Sequence, residues 1–282
     1  MMSGTISAIM VSWRTGPVLI DAIKAVLADD AIGELILVDH DNPEHHREQV
    51  DALARSESRL KILRTDANLG FARGCNLGAR QAVGEWLFFI NPDAEPEPGC
   101  AGKLAAALAD EPETALAGAR VLNSDGSEQR GSRRRELTLW RAIASFSGLA
   151  RLGLAKSFGM EHEAVPADPA EVAAISGAAF LVRRSGFDVL GGFDETFFLH
   201  VEDIDLCRRA ERVWFVPGAV VHHVGSSSDA HPIAVEWEKA KGFFRYFWKF
   251  GGAGDRLILL LVTPILFAAI LGRALWRQVR SG

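Results

Sequence analysis

Short apolar runs alternate with amphipathic stretches through the first 120 residues, and this order constrains the fold more than any other feature of the sequence. Strands are predicted at 5–12, 34–39, 60–63, 85–90 and 116–122. Helices are predicted at 17–27, 43–55, 70–82 and 99–109. Such an alternation favours an α/β fold with a mostly parallel sheet and helices on both of its faces.

Ligands of parallel sheets bind beyond the carboxyl ends of the strands. The residues that directly follow the predicted strands are therefore the first candidates for a binding site. They are Ser12 to Arg14, Asp39 to Asn42, Asn68 to Phe71 and Asn91 to Glu95.

Composition and charge exclude several classes of protein. The chain has 282 residues, of which 48% are hydrophobic and 24% charged, as in a globular protein and unlike a disordered, collagen-like or coiled-coil chain. Its three cysteines lack C-x-x-C spacing, which excludes a cysteine zinc site and a disulfide scaffold and fits a reducing compartment. A net charge of −5 without a stripe of aromatic and basic residues argues against nucleic-acid binding. Residues 1–13 lack the features of a signal peptide, so we expect a cytoplasmic protein.

The segment Asn91-Pro92-Asp93 directly follows the fourth predicted strand. Oxygen atoms of Asn and Asp side chains are suitable ligands for a hard divalent cation. The same residue types also form turns and helix caps, so a structural turn is the alternative interpretation.

An acidic cluster, Glu202-Asp203-x-Asp205, follows the apolar run Phe197 to Leu199. Carboxylates beside apolar surface tend to have raised pKa values, which suits a general base. If a helix begins here, the same carboxylates would instead stabilise the positive end of its dipole.

Short strands are predicted at 213–216 and 219–223, and two histidines, His222 and His223, end the second of them. A neutral imidazole nitrogen can bind a metal ion, although a hydrogen-bonded structural histidine is the alternative. Between these motifs, residues 124–136 are polar and basic, and they predict a mobile loop over an anionic ligand. A strand is predicted at 175–182, where Gly177 allows another group to approach the backbone closely.

These segments resemble family 2 glycosyltransferases with the Rossmann-like GT-A fold, particularly the bacterial rhamnosyltransferase-like branch. The matching segments occur in the family's order and cover roughly residues 5–228. They are Val38-Asp39, Asn68 to Asn76, Asn91 to Ala94, Gly177 to Arg184, Gly191 to Phe198, Glu202 to Arg209 and His222 to Ser227.

The resemblance implies an inverting transfer of a sugar from a nucleotide-diphosphate donor, dTDP-rhamnose or a UDP-sugar, to a hydroxyl of a lipid-linked or cell-envelope glycan. It implies Asp203 as the catalytic base, with Glu202 as the second candidate. It implies Mg²⁺ or Mn²⁺ as cofactor, held by Asp93 together with His222 or His223. Acceptor contacts are expected from Gly177 and Asp194. The implied donor-binding residues are Ser12, Arg14, Asp39, Asn68, Gly70, Phe71, Asn76, Asn91 and Asp93.

The sequence departs from the family pattern at three places. Arg14 and His40 each stand where Asn is common, and the stretch Arg209 to Trp214 is short and lacks the usual Gly turn. A non-catalytic nucleotide-sugar-binding relative or scaffold is therefore the alternative function. A nicotinamide enzyme is excluded by the absence of G-x-G-x-x-G after the first strand. A pyrophosphorylase and a processive synthase are excluded because their Gly-rich phosphate loop and Q-x-x-R-W motif are missing.

The C-terminal segment differs in charge from the rest of the chain. Residues 236–282 contain eight Lys or Arg against three Asp or Glu, whereas the whole chain is acidic. A helix with many aromatic residues is predicted at 235–250, and residues 257–272 contain no charge. This apolar stretch is just short of the roughly 17–25 residues that span a bilayer. It favours an interfacial helix on anionic lipid, with a single span or a homo-oligomer contact as alternatives. We predict a GT-A domain at 1–228 and a helical tail at 229–282 that attaches the protein to the inner face of a bacterial plasma membrane.

Overall fold

The computed structural model describes residues 5–147, 156–225, 232–261 and 263–264. The first part of the chain forms β1 (Ile6–Ser12), α1 (Val18–Leu27), β2 (Ile32–His40), α2 (Glu44–Ser56), β3 (Leu60–Thr65), α3 (Phe71–Gln81), β4 (Trp86–Ile90), β5 (Ala94–Pro96), α4 (Cys100–Ala107) and β6 (Leu116–Leu122). The second part forms β7 (Arg133–Arg134), α5 (Leu139–Ser147), β8 (Ala170–Glu171), β9 (Ala174–Ile175), β10 (Ala179–Arg183), α6 (Arg184–Val189), α7 (Glu202–Arg209), β11 (Val213–His223) and α8 (Pro232–Phe250). Residues 253–261 are also helical.

One mixed sheet organises the fold, with the strand order β3-β2-β1-β4-β10-β6-β11-β5. The pairs β2/β3, β1/β2, β1/β4 and β6/β11 are parallel, and β10 lies antiparallel between β4 and β6. The carboxyl ends of β1, β2, β4, β6 and β11 therefore meet the amino end of β10 at one edge of the sheet. The predicted α/β class with a mostly parallel sheet is confirmed.

The sheet separates two hydrophobic cores. Along β1, Ile6, Ala8 and Met10 face one core, and Ile9 and Val11 face the other. Helices α1, α2 and α4 cover the first core, and α3, α6, α7 and α8 cover the second. Because both faces are covered, most residues of the central strands are apolar and buried.

Helix α8 packs into the second core. Tyr246 and Phe247 are 3% and 5% exposed, and they pack with residues of α3, α6 and α7. Arg245 donates to the carbonyl oxygen of Thr196, and Lys249 donates to Asp205 Oδ1 at 2.6 Å. The predicted tail thus begins with a helix that belongs to the packing of the main body.

The structure corrects three predictions of local structure. The predicted loop at 124–136 contains β7, which pairs with β9, and a bridge from Leu122 to Glu128. The predicted strand at 175–182 is divided between β9 and β10 by Ser176, Gly177 and Ala178. The short runs at 213–216 and 219–223 form one strand, β11, with an irregular register between Val216 and Val220.

Candidate active site

Asn91, Asp93 and His223 form one polar cluster at the ligand-binding edge of the sheet. Asp93 follows β4, and its Oδ1 lies 3.0 Å from Nε2 of His223, the last residue of β11. The side-chain nitrogen of Asn91 lies 3.1 Å from the same ring nitrogen. The cluster therefore joins the ends of two strands that are far apart in sequence.

Gln129 fixes the orientation of the His223 ring. Ring Nδ1 lies 2.7 Å from Gln129 Oε1, while Gln129 Nε2 donates to Asn123 Oδ1 and to the carbonyl oxygen of His223. Nδ1–H accordingly donates to Gln129, and the lone pair of Nε2 faces Asp93 Oδ1. This lone pair and Asp93 Oδ1 lie 3.0 Å apart, close enough for one cation to bind both.

This donor set fits a divalent cation. A carboxylate and an imidazole whose other nitrogen is held by a carbonyl group are typical metal ligands. Among the residues that the structure describes, no group of three or more His, Cys, Asp or Glu side chains is placed to hold a metal ion. Mg²⁺ sites that also bind substrate phosphates commonly use only one or two protein carboxylates. Asp93 and His223 therefore suit a cation that shares its coordination with a diphosphate.

His222 faces the opposite side of β11, because neighbouring residues of a strand alternate between its faces. Its Nε2 lies 3.3 Å from Glu97 Oε1, and about half of its side chain is exposed. Of the two histidines that the sequence left open, the geometry favours His223 as the metal ligand and separates His222 from Asp93.

Asp203 lies in the first turn of α7 and is held by three donors. Its Oδ2 accepts hydrogen bonds from Arg134 Nη1 and from the backbone N–H of Gly177, both at 2.9 Å, and its Oδ1 accepts from the N–H of Ile204. Burial opposes its ionisation, but the charge of Arg134 and these donors lower the pKa of Asp203 below its usual value. Asp203 is therefore a fixed, ionised carboxylate at neutral pH.

Glu202 differs from its neighbour Asp203. Its side chain is buried, and Oε2 has no hydrogen-bond partner within the described part of the chain. Burial raises the pKa of Glu202 to about 8, and the charge of Asp203 contributes to the increase. The raised pKa expected for a carboxylate beside apolar surface thus occurs at Glu202 and not at Asp203. The lowered pKa of Asp203 and the three donors that orient its carboxylate favour Asp203 as the base.

A single dipeptide connects the base to the metal-binding cluster. The N–H of Gly177 donates to Asp203, and the carbonyl oxygen of the next residue, Ala178, accepts the N–H of Asn91 at 2.9 Å. A Cβ atom at Gly177 would lie 3.2 Å from the Asp203 Cβ atom, which is tighter than most such contacts. The close approach predicted at Gly177 is therefore that of the Asp203 side chain. Gly177 remains a predicted acceptor contact.

A cavity of about 550 Å³ opens beside the ends of β1 and β2. It is lined by Arg14, Asp41, Asn42, Pro43, Glu44, His46 and Arg47. Arg14 and Asp41 form an ion pair at 3.7 Å, and both adopt positive φ angles, 49° and 54°. Non-glycine residues rarely adopt such angles, and they occur preferentially at functional sites.

Ser12 and Asp39 support this cavity from behind. Both are buried, and Asn42 Nδ2 donates to Ser12 Oγ at 2.9 Å and to Asp39 Oδ1 at 2.7 Å. The second oxygen of Asp39 lies 3.3 Å from Arg47 Nε. Ser12 and Asp39 therefore position the lining residues Asn42 and Arg47.

The start of α3 contacts the loop that precedes the base. Asn68 Oδ1 accepts the N–H of Gly70, and the N–H of Phe71 donates to the carbonyl oxygen of Phe198 at 2.9 Å. Gly70 has a φ of 85°, and a Cβ atom there would lie 2.6 Å from the same carbonyl oxygen. The need for glycine at this position thus comes from the approach of Phe198. Donor contacts by Asn68, Gly70 and Phe71 remain predictions.

Asn76 has a structural role, and its contact with the donor remains a prediction. Its amide exchanges two hydrogen bonds, both at 2.9 Å, with the backbone of Phe193, and a further one joins it to Glu195. These bonds hold the turn that carries Asp194. Partial burial opposes ionisation of Asp194, but hydrogen bonds from Lys249 and Thr196 lower its pKa to about 2.

The departures at His40 and after Arg209 have structural explanations. His40 is fully buried, its Nδ1 lies 2.6 Å from Thr65 Oγ1, and a Cβ atom at Gly74 would lie 2.8 Å from its Nε2. His40 therefore packs beneath α3. The shortened stretch forms a three-residue connection at 210–212 between α7 and β11.

Sequence reasoning included Asn42 in a candidate segment without assigning it a role, and it missed three other residues that shape the site: Gln129, Arg134 and Lys249. Arg134 belonged to a recognised basic segment, but no pattern distinguished it from its neighbours. Asn42 follows Asp39 by three residues, a spacing at which Asp and Asn commonly form turns. Gln129 and Lys249 carry no signal, because each contacts a residue far away in the chain.

Comparison with known proteins shows what the chain is similar to. Residues 7–191 match the family described as Glycosyl transferase family 2. The chain is 26% identical over 248 residues to the N-acetylglucosaminyl-diphospho-decaprenol L-rhamnosyltransferase of Mycobacterium tuberculosis, covering 82% of this chain and 80% of that protein. It is 25% identical over 185 residues to the low-salt glycan biosynthesis hexosyltransferase Agl10 of Haloferax volcanii, covering 64% and 54%.

Solved structures show the same fold at low identity. The mannosyltransferase PcManGT of Pyrobaculum calidifontis, in complex with GDP-Man and Mn²⁺, has a TM-score of 0.60 at 16% identity and covers 100% of this chain and 76% of its own. GalNAc-T7 with UDP, GalNAc and Mn²⁺ has a TM-score of 0.61 at 16% identity, covering 86% of this chain, which spans 47% of that structure. S. aureus TarS 1–349 with UDP-GlcNAc has a TM-score of 0.57 at 14% identity, covering 86% and 66%. The predicted GT-A fold is thereby confirmed.

Proposed function

Since the chain belongs to glycosyl transferase family 2, we propose that it is a metal-dependent inverting glycosyltransferase. Its donor is a nucleotide-diphosphate sugar, dTDP-rhamnose or a UDP-sugar, and its acceptor is a hydroxyl group of a lipid-linked or cell-envelope glycan. The similarity to a rhamnosyltransferase whose name specifies a diphospho-decaprenol acceptor supports this choice of substrates.

One observation carries the proposal: the Asp203 carboxylate and the Asp93–His223 pair lie on either side of the dipeptide Gly177-Ala178. Asp203 binds the N–H of Gly177, and Asn91, beside the Asp93–His223 pair, binds the carbonyl oxygen of Ala178. A base and a site for the leaving group must both face the reacting carbon in a direct displacement. The arrangement supplies both functions within one edge of the sheet.

The reaction follows from these roles. Asp203 accepts the proton of the acceptor hydroxyl, while the oxygen of that hydroxyl forms a bond to the anomeric carbon of the donor. The bond from this carbon to the diphosphate oxygen breaks, and the nucleoside diphosphate leaves with the electron pair. Attack opposite the leaving group inverts the anomeric configuration.

The residues of the polar cluster serve the leaving group. A divalent cation held by Asp93 and His223 would supply positive charge that stabilises the departing diphosphate. Gln129 keeps the His223 ring turned toward Asp93 through its hydrogen bond to Nδ1. The side-chain amide of Asn91 lies beside the same ring, next to His223 Nε2.

The cavity beside β1 and β2 would hold the nucleoside part of the donor. Arg14 lies over the Trp13 ring at 5.4 Å from its centroid and lines the cavity with Asn42 and Arg47. The guanidinium groups of Arg14 and Arg47 offer cationic donors to the nucleoside. Ser12 and Asp39 contribute by fixing Asn42.

The test is transfer by the purified protein with Mn²⁺ or Mg²⁺, a panel of dTDP- and UDP-sugars and a lipid-linked acceptor analogue. We expect nucleoside diphosphate release that depends on both the acceptor and the metal ion. A non-catalytic relative would instead show only binding, seen as a higher melting temperature with nucleoside diphosphate and no release from any sugar donor. That outcome would refute the proposed activity and support the alternative of a scaffold.

We further propose that the protein binds the surface of an anionic membrane through its C-terminal helices. The helix at 253–261 carries three exposed leucines on one face, which we call the tail leucines. They are Leu257, Leu260 and Leu261, and they are 60%, 53% and 66% exposed. Trp237 and Trp248 on α8 are also exposed, and Arg256 lies over the Trp248 ring. Apolar and aromatic groups beside basic residues are typical of helices that lie in the lipid interface.

A membrane crossing is not part of the described structure. Among the described residues, which end at 261 and 263–264, no helix has the length and apolar character of a bilayer span. Residue 262 and residues 265–282 of the predicted apolar tail lie outside the described residues. We propose interfacial attachment because of the exposed tail leucines and tryptophans.

Helix α8, which carries the exposed tryptophans, also contacts the loop of Asp194, the predicted acceptor residue. Lys249 binds Asp194 at 2.7 Å, and Arg245 binds the carbonyl oxygen of Thr196. These contacts place the predicted acceptor residue Asp194 beside the helix that would lie on the membrane. This placement supports peripheral binding at the inner face of the plasma membrane, with a second copy of the chain as the alternative partner for the apolar face.

A further inference from the structure

We propose that Arg134 is the positioning residue of the catalytic base: it fixes the Asp203 carboxylate and keeps it ionised in a buried site. This inference rests on the proposed function, in which Asp203 is the base. Arg134 lies outside the matched motifs and was not among the predicted site residues. Its guanidinium group donates through Nη1 to Asp203 Oδ2 at 2.9 Å and to the carbonyl oxygen of Ile175 at 2.7 Å.

The backbone around Arg134 is anchored at several points. Arg134 lies on β7, which pairs with β9. Ser132 accepts the N–H of Val121 through its Oγ, and its carbonyl oxygen accepts the N–H of Ser176. Arg133 and Glu128 form an ion pair at 2.8 Å in which both side chains are 4% exposed. Arg134 therefore projects from a segment that is tied to both the large and the small sheet.

Gly131 leaves room for the Arg134 side chain. It has a φ of 89°, and a Cβ atom at this position would lie 2.7 Å from Arg134 Nη2 and 2.9 Å from Nε. The guanidinium group thus folds over its own backbone before it reaches Asp203. The side chains of Arg134 and Asp203 are 14% and 13% exposed, so the pair is largely shielded from water. Electrostatic attraction is stronger in such an environment than at the surface.

Arg134 supplies the positive charge that Asp203 needs. The other titratable groups that face Asp203 are Glu202 and Cys207 on α7 and His200 in the preceding loop. Burial raises the pKa of Glu202 to about 8 and that of Cys207 to about 12, and it lowers the pKa of His200 to about 4. All three groups are therefore predominantly neutral at pH 7. Without Arg134, burial would act on Asp203 largely unopposed and would favour its protonated form.

The first experiment measures the pH profile of transfer by wild type, Arg134→Gln, Arg134→Lys and the control Arg135→Gln. Arg135 is the next residue, but it binds Glu163 and the carbonyl oxygens of Ser157 and Gly159. The folded pKa of Asp203 is lowered, so wild-type activity should persist into acidic pH and fall only as the pH passes below that value. In Arg134→Gln, the acidic limb of kcat should move to higher pH by about one to three units. Arg134→Lys should restore most of this shift, and the control should retain the wild-type profile.

The kinetic constants separate this role from donor binding. Because Arg134 acts through Asp203, its loss should lower kcat and leave the KM for the donor unchanged. An unchanged pH profile combined with a raised donor KM would mean that Arg134 binds the donor, and this result would overturn the inference.

A second experiment needs no activity. Urea unfolding of Arg134→Gln, Asp203→Asn and the double variant forms a double-mutant cycle. Arg134→Gln alone leaves a buried carboxylate without its cation, so its unfolding midpoint should lie below that of the double variant. Additive effects would show that the two side chains are not paired and would refute the inference. If wild type transfers no sugar but the cycle shows coupling, the proposed function fails while the pairing stands.

Discussion

Replacing Asp203 by Asn is the most direct test of the proposed chemistry, because the structure offers a matched control at the adjacent position. Asp203→Asn keeps the shape of the side chain and removes the group that accepts the proton. Glu202→Gln alters the neighbouring residue of the same helix turn. Since burial raises the pKa of Glu202 to about 8, this carboxyl is mostly protonated at pH 7, and an amide of equal size replaces a neutral group.

The expected magnitudes differ widely. A positioned general base contributes about 10²- to 10⁴-fold to a rate, so Asp203→Asn should lower kcat by that factor, or about 3–5 kcal/mol in the barrier. Glu202→Gln should cost less than about fivefold, equivalent to about 1 kcal/mol. Asp203→Asn also leaves Arg134 without its anionic partner, and breaking a buried pair costs about 3–5 kcal/mol of stability. Rates must therefore be normalised to the folded fraction, measured by circular dichroism under assay conditions.

The assay follows nucleoside diphosphate release and formation of the glycosylated acceptor in parallel, at saturating donor and metal ion. Full activity of Asp203→Asn together with a large loss in Glu202→Gln would exchange the roles of the two carboxyls. Equal losses in both variants, with intact folding, would refute the assignment of a single base.

Three further predictions concern the metal site, the membrane and stability. His223→Ala should weaken Mn²⁺ binding in isothermal titration calorimetry by at least about tenfold, whereas His222→Ala should leave it unchanged; the reverse pattern would move the ligand to the other face of β11. Replacing the three tail leucines by Gln should lower binding to vesicles containing phosphatidylglycerol by about 100-fold, because roughly 1 kcal/mol of apolar burial is lost per leucine. The control Val83→Gln changes a valine that is 72% exposed in another part of the protein, and it should leave vesicle binding unchanged. Lys249→Met should reduce stability at neutral pH, because the folded pKa of Asp194 lies at about 2, below its unfolded value of 3.8. Wild type should lose this contribution as pH falls from about 4 to about 2, so the difference between the two proteins in urea unfolding should narrow there. The variant also lacks the contact of Lys249 with Asp205, so a remainder can persist, but a difference that stays constant with pH would refute the linkage.

The long elements could be predicted because their patterns are local. Each of the five strands and four helices expected in the first 122 residues occurs within a few residues of its predicted bounds. The strands β5, β7, β8 and β9 have two or three residues each, too few to show any periodicity. Their pairing depends on partners that are distant in the sequence, so only the folded chain defines them.

The choice between His222 and His223 shows the same limit at the site. The face on which a strand residue lies follows from the register of the strand, and one extra residue reverses it. In β11 the register shifts between Val216 and Val220, next to Pro217 and Gly218. The sequence indicates a histidine at the end of this strand. It does not indicate which face of the strand each histidine occupies, because the register is irregular.

The basic segment illustrates why charge patterns identify regions and not roles. Arg133 pairs with Glu128, Arg134 binds Asp203, and Arg135 binds Glu163 and nearby carbonyl oxygens. The three side chains are adjacent in sequence and chemically identical. Their different partners come from the loop before β7, from α7 and from the segment between α5 and β8, and the basic pattern itself does not specify these partners.

The loop before Asp203 has an unusual backbone whose strain is balanced by contacts from three sides. His200 and Val201 have φ angles of 68° and 73°, which is unfavourable for a β-branched residue such as valine. Strain of this kind costs about 1–3 kcal/mol per residue and persists only where the surrounding structure determines it. Phe198 is bound by the start of α3, Asp194 by Lys249, and the turn before them by Asn76. Because these anchors fix both the path of the loop and the point where α7 begins, the orientation of the base depends on α3 and α8 as much as on its own helix.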